Sequence, residues 1–150
     1  MNYWLCKSEP EVYSIDDLKK DGRTLWDCVR NYQARNYLRQ MAVGDEILFY
    51  HSSSTPPGVA GTARVSKLAV ADPTQFDHKS DYFDEKATRS APRWFAPEFK
   101  FISRFKNFVA LDDIRRQSAL QKMVLLQRGS RLSVQPVTKK EFESIVILGS

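Results

Sequence analysis

Three short clusters in this chain combine residue types that can do chemistry. Lys7-Ser8-Glu9-Pro10 sets a cation, a hydroxyl and a carboxylate side by side. Trp26-Asp27-Cys28-Val29-Arg30-Asn31-Tyr32-Gln33-Ala34-Arg35-Asn36 gathers aromatic, acidic, basic and amide side chains within eleven positions. Tyr50-His51-Ser52 adds a phenol, an imidazole and a hydroxyl. Recognition of a nucleobase needs a flat face for stacking and polar groups for the base edge. Guanidinium groups nearby, here Arg30, Arg35 and Arg131, suit phosphates. The same residues have a plainer use: Trp26 as core, with Arg30 and Arg35 paired to Asp27 on a surface.

Other chemistries find less support. The two cysteines and two histidines (Cys6, Cys28, His51, His78) show no metal-ligand spacing, so no metal is expected. The chain contains no HExxH, GxSxG or phosphate-loop motif, so no cofactor and no catalysis are expected. Gly58-Val59-Ala60-Gly61 matches the GxxG of a KH loop, but that loop joins two helices and these flanks read as strand. Asp16, Asp17, Asp27, Asp45, Asp112 and Asp113 read as caps and solvated faces.

The clusters must be positioned by a mixture of strands and helices. Tyr3 to Lys7 reads as a first strand, ended by Ser8-Glu9-Pro10. Ser14 caps a short helix that carries Asp16 and Asp17 at its positive end and stops at Gly22. Thr24-Leu25-Trp26 is extended. Asn31 to Met41 reads as a helix burying Tyr37, Leu38 and Met41. Glu46 to His51 is a strand, Ser52 to Gly58 a loop, and Val59 to Leu68 the partner strand. Asp72 to Pro92 is irregular and aromatic, and is expected to be a mobile or ligand-covering loop. Trp94 to Phe105 alternates as a strand does. Leu111 to Met123 suggests one or two short helices, and Arg131 to Pro136 a further strand. Thr138 and Glu141 form a capping box, stapled by Val137 and Phe142, for a last helix ending near Gly149. The expected class is α+β, with a barrel-like sheet, and with Leu5, Ile47, Phe49 and Val134 in one sheet-based core.

The 150 residues are one domain's worth, 1–150, with a 42% hydrophobic share that suffices for a core. Lys and Arg total 23 against 18 Asp and Glu, giving a net charge of +5 and a pI near 9.3. That modest excess is compatible with a polyanionic partner. Two thiols make no disulfide framework, and neither a leader nor a membrane-length apolar run is evident. A cytoplasmic monomer without a membrane partner is expected.

Read in order, Tyr3-Trp4-Leu5-Cys6-Lys7-Ser8-Glu9-Pro10, Tyr13-Ser14-Ile15-Asp16-Asp17-Leu18, Trp26-Asp27, Val29 to Asn36, Val43-Gly44-Asp45, Tyr50-His51-Ser52 and Arg131 to Val137 resemble the EVE domain family. These matches span nearly the whole chain. The resemblance implies a PUA-like fold, a twisted, barrel-like sheet flanked by short helices. It also implies kinship with YTH domains, which hold a methylated base in an aromatic cage. The implied function is non-enzymatic recognition of a modified base in DNA or RNA. By this likeness Lys7, Ser8 and Glu9 form one wall, Trp26 is a stacking face, and Asp27 and Asn31 meet the base edge. Tyr50, His51 and Ser52 complete the expected pocket. A second cage aromatic comes from the loop holding Phe76, Tyr82 and Phe83, with Tyr82 and Phe83 the residues named for the pocket. The chain departs from the family at Cys28, where glycine is usual; a side chain there narrows the pocket or displaces the turn. Two alternatives stand beside this reading: an enzyme acting on nucleic acid or a nucleotide, and a protein-interaction domain using a basic face.

Overall fold

The structure is a computed structural model that describes residues 1–129 and 131–150. Alternation along the strands sets its plan. In β1 (Tyr3–Ser8) Trp4 and Cys6 point to one layer and Leu5 to the other. In β3 (Glu46–His51) Ile47 and Phe49 join the first layer, Leu48 and Tyr50 the second. Because successive strand side chains point to opposite faces, both faces of the sheet carry apolar residues and both must be covered. One layer gathers Ile15, Leu18, Trp26, Leu38, Phe99 and Val134; the other gathers Val59, Phe105, Ile114, Met123, Phe142 and Ile145. The expectation of one shared core for Leu5, Ile47, Phe49 and Val134 is therefore corrected. Leu5 lies on the opposite face of the sheet from the other three.

Among the described residues six strands form one sheet in the order β2-β5-β4-β3-β1-β6. β1 runs parallel to β3 and antiparallel to β6 (Val134–Val137). β4 (Gly58–Ala71) and β5 (Phe95–Ala110) are a long antiparallel pair whose register slips four times. Such irregularities bend a sheet and strengthen its twist. β2 (Arg23–Leu25) adds to the β5 edge. The α+β class stands, with the sheet open at β2 and β6.

The helices are short and well capped. Ser14 and Asp17 make a capping box for α1 (Ile15–Asp21), which stops at Gly22 with φ +79°. The same device, Thr138 with Glu141, starts α4 (Lys139–Gly149). α2 spans Tyr32–Gln40, with Asn31 as its cap rather than its first turn. α3 (Leu111–Arg115) is followed by 3-10 turns at Ser118–Leu120 and Val124–Leu126. The strand expected from Arg131 begins at Val134, and the strand expected from Trp94 to Phe105 runs on to Ala110. Gly58 and Gly61 lie inside β4, not in a KH loop: a Cβ at Gly58 would meet the Val109 carbonyl, and one at Gly61 the Ser103 carbonyl.

The segment between β4 and β5 is irregular but tied down. Fully buried Gln75 donates to the carbonyls of Asp72 and Trp94 at 2.8 and 2.9 Å. Its Oε1 accepts from the Arg93 and Trp94 amides at 2.9 and 3.0 Å. The Trp94 indole donates to Asp84 at 2.8 Å. These bonds close the base of the loop and fix its tip, where Tyr82 stands.

Candidate nucleic-acid interface

Trp26 follows β2, and its amide donates to the Pro97 carbonyl at 2.8 Å. That bond extends the β2–β5 pairing by one residue and sets the indole into the first core layer. It stacks on Phe99 at 5.1 Å and 28°, and meets Phe49 edge-on at 5.5 Å and 80°. Only 8% of the residue is exposed, and it borders a cleft of ≈ 410 Å³. Trp26 was expected as a stacking face on a partly open pocket wall; it is a largely buried residue with one margin on the cleft. The volume falls in the range of small-ligand pockets, roughly 300–1,000 Å³.

The chain then turns sharply. Cys28 has φ +67°, a left-handed conformation that costs a residue with a Cβ about 1–2 kcal/mol. What holds it there is Asp72, which is fully buried. The Cys28 amide donates to Asp72 Oδ2 at 2.7 Å, and Thr74 donates to Oδ1 through its amide at 2.8 Å and its hydroxyl at 2.6 Å. Burial pushes the Asp72 carboxyl up, but bonds from Thr74, Cys28 and Arg30 outweigh it and hold the group below its ordinary value. Asp72 lies outside the three sequence clusters; its one local signal is Asp72-Pro73-Thr74, a helix-cap pattern.

Arg30 is built into this knot. Its Nε and Nη2 donate to the Tyr82 carbonyl at 3.2 and 2.8 Å, and Nη2 also to Thr74 Oγ1 at 2.9 Å. Nη1 donates to the Val29 carbonyl at 3.0 Å and to Asp72 at 3.2 Å. A guanidinium has five N–H groups, and five bonds are made. Arg30 was expected to contact phosphate; the structure commits its donors to bracing the Tyr82 loop. Arg35 likewise donates to the Arg93 carbonyl at 3.0 Å and to the Asn36 side chain at 2.9 and 3.1 Å. Arg131 is exposed, two positions before Ser133 of the cleft.

Of the expected pocket residues the cleft unites Lys7, Ser8, Trp26, Asp27 and Tyr82, with Arg30 at its edge. Tyr13, Thr24, Val29 and Ser133 also line it. Ser133 arrives because the Lys7 amide donates to its carbonyl at 2.8 Å, extending the β1–β6 pairing. Tyr13 is held by Ser8, whose hydroxyl donates to the Tyr13 carbonyl at 2.6 Å.

The other expected residues are elsewhere. Glu9 is exposed, and its carboxylate accepts from Ser53 at 3.4 Å. Asn31 uses its side-chain oxygen to cap α2, accepting from the Ala34 amide at 2.9 Å. Tyr50 is buried in the second layer, with the Lys7 ammonium 5.8 Å from its ring centroid. His51 Nε2 accepts from the Ile15 amide at 3.1 Å. Ser52 lies beyond the strand end, its amide on the Ser8 carbonyl at 3.0 Å. Phe83 borders a neighbouring cleft beside Tyr82, and Phe76 sits under Arg89.

The polar groups of the cleft suit a heterocycle. Burial lowers the Lys7 ammonium from its ordinary value. Burial raises the Asp27 carboxyl, with the charge of Asp72 adding to it against the Cys28 thiol and Arg30. Asp27 offers an acceptor to a base edge. The Cys28 thiol is pushed up to about 11, chiefly by burial, which makes it a poor nucleophile at neutral pH. Among the described residues no group of three His, Cys, Asp or Glu could hold a metal ion.

Residues 2–148 match the EVE domain model. Human thymocyte nuclear protein 1 is 38% identical over an alignment covering 98% of this chain and 73% of that protein. A solved protein from Pseudomonas syringae is 49% identical, with TM-score 0.95 and 99% of each chain covered. The human THYN1 protein, solved in complex with 5-methylcytosine-containing DNA, is 38% identical with TM-score 0.93, covering 100% of this chain and 98% of that one. With this agreement in sequence and in the PUA-like arrangement of sheet and helices, the chain belongs to the EVE domain family.

Proposed function

We propose that this chain is a non-enzymatic module that binds nucleic acid by taking one modified base into the Trp26 cleft. The observation that carries the reading is the cleft itself. It joins an indole margin, a second aromatic at Tyr82, a carboxyl at Asp27 and the hydroxyl residues Thr24 and Ser133, with Lys7, Ser8 and Tyr13 also in its lining. Such a set offers faces for stacking and both donors and acceptors for a base edge. The complex of the human THYN1 protein with 5-methylcytosine-containing DNA supports a methylated base as the first ligand to try. The thiol at the cleft is held protonated, which favours binding over nucleophilic chemistry. The reading includes a monomer in the cytoplasm.

The test is a binding screen against oligonucleotides that differ only in one base modification, with Asp27→Ala as the informative variant. Asp27 is partly exposed and sets a like charge beside Asp72, so its loss should change melting little. Losing a hydrogen bond to a charged group costs roughly 1.5–3 kcal/mol. Affinity for the preferred modified oligonucleotide should therefore fall about tenfold to a hundredfold. A wild-type protein that binds modified and unmodified strands alike would overturn the proposal.

A further inference from the structure

A second cleft, of ≈ 590 Å³, lies against the first. Tyr82 and Arg30 line both, and the Arg30 guanidinium sits 5.5 Å from the Tyr82 ring centroid. These two side chains therefore form the wall between the clefts. Behind the wall stands buried Trp94, 5.3 Å from the same guanidinium. Tyr32 also lines the second cleft; its ring stacks on Trp94 at 5.0 Å and 25°, the Arg35 guanidinium stands 4.9 Å from its centroid, and its hydroxyl bonds to Arg93. Tyr32 and Tyr82 remain 48% and 44% exposed although their surroundings are fixed. Three basic and three acidic side chains line this cleft, so it has no net charge to attract a phosphate. Donors and acceptors beside aromatic rings match the edge and faces of a base instead.

We infer that the second cleft takes the base adjacent to the modified one, against Tyr82 and the exposed margin of Tyr32, so that a dinucleotide straddles the Tyr82–Arg30 wall. The inference rests on the reading of the Trp26 cleft. It also narrows the ligand class. Neighbouring bases of a stacked strand rise about 3.4 Å from one to the next, which leaves no room for a side chain between them. A wall of one ring and one guanidinium requires the two bases to be unstacked. The ligand is thus a single strand, or a strand opened at that step, rather than an intact stacked duplex.

The experiment compares two single-stranded trinucleotides with a central 5-methylcytosine. One carries flanking thymines, the other abasic flanks, so that the phosphates are the same and only the neighbouring bases differ. Base–aromatic stacking predicts that wild type binds the thymine-flanked strand roughly fivefold to a hundredfold more tightly. Tyr32→Ala should favour the thymine-flanked strand less than wild type does. Tyr32→Phe, which loses only the hydroxyl, should behave as wild type does. Equal wild-type affinities for the two strands overturn the inference while the Trp26 cleft reading stands. So does a Tyr32→Phe loss as deep as that of Tyr32→Ala. Failure of wild type to prefer 5-methylcytosine over cytosine in the thymine-flanked strand removes the reading and the inference together. The wild-type comparison decides the matter even where Tyr32→Ala does not fold, which melting of each variant reports.

Discussion

Cys28 and Trp26 each serve two purposes that pull against one another. At Cys28 the backbone needs a left-handed conformation, which glycine adopts at no steric cost. Replacing it relieves about 1–2 kcal/mol of strain. Glycine gives back roughly 0.5–1 kcal/mol through its freer unfolded chain. Cys28→Gly should therefore raise stability by up to about 1.5 kcal/mol, read from the midpoint of denaturant unfolding. An unchanged or lowered midpoint would show that the thiol's packing beside Thr74 outweighs the strain. For Trp26, loss of the indole exposes Phe99 and Phe49 as well as the cleft. Trp26→Ala should cost roughly 3–5 kcal/mol of stability in addition to binding. Melting and binding of that one variant thus cannot separate a core role from a cleft role, and Asp27→Ala is the cleaner probe.

Two joints between elements carry titratable groups. Asp72, at the start of the β4–β5 connection, holds the turn after β2. Its folded carboxyl lies below the ordinary value of 3.8, so its contribution is complete above that value and is lost as pH falls through the lower folded one. His51, at the end of β3, accepts from the first amide of α1 with a neutral ring nitrogen. Burial holds its pKa below 6.5, with Asp16 opposing and Arg104 assisting. The folded state therefore prefers neutral imidazole, and stability declines as pH drops below about 6.5. Melting followed from pH 7.5 downward should show a first loss that His51→Gln removes, then a second, more acidic loss from carboxylates. A His51→Gln protein with the same upper transition would place that loss elsewhere. Asp72→Ala, which strands Arg30 and the Cys28 amide, should cost about 3–5 kcal/mol.

For the molecule as a whole, charge and its commitments set the response to salt. The net charge is +5, yet Arg30 and Arg35 spend their donors within the fold. Few cations are left beside the clefts to displace counterions. With on the order of two phosphate contacts to a single strand, log K should fall with log salt at a slope of about −1.4. A slope several times steeper would reveal a broad phosphate-tracking surface away from the clefts. A slope near zero would make the free base or nucleoside the ligand.

Much of this protein follows from local rules. The capping boxes at Ser14 and Thr138, the stop at Gly22 and the alternation in β1 and β3 are set by neighbours a few positions away, and short-range sequence carries them. The motif clusters likewise placed Lys7, Ser8, Trp26 and Asp27 at strand ends, and the structure gathers these four around one cleft. What required the tertiary structure is every choice made across the chain. Tyr82, rather than Phe76 or Phe83, borders the Trp26 cleft because Arg30 grips its carbonyl from 52 positions away. Arg30 became a brace because Asp72 and Thr74 are buried against it. Tyr50 left the expected pocket because β1 and β3 run parallel in a register that sets it on the second layer. Periodicity along one strand fixes which side chains share a face. Only the pairing of distant strands decides which face closes on a cleft and which on a core.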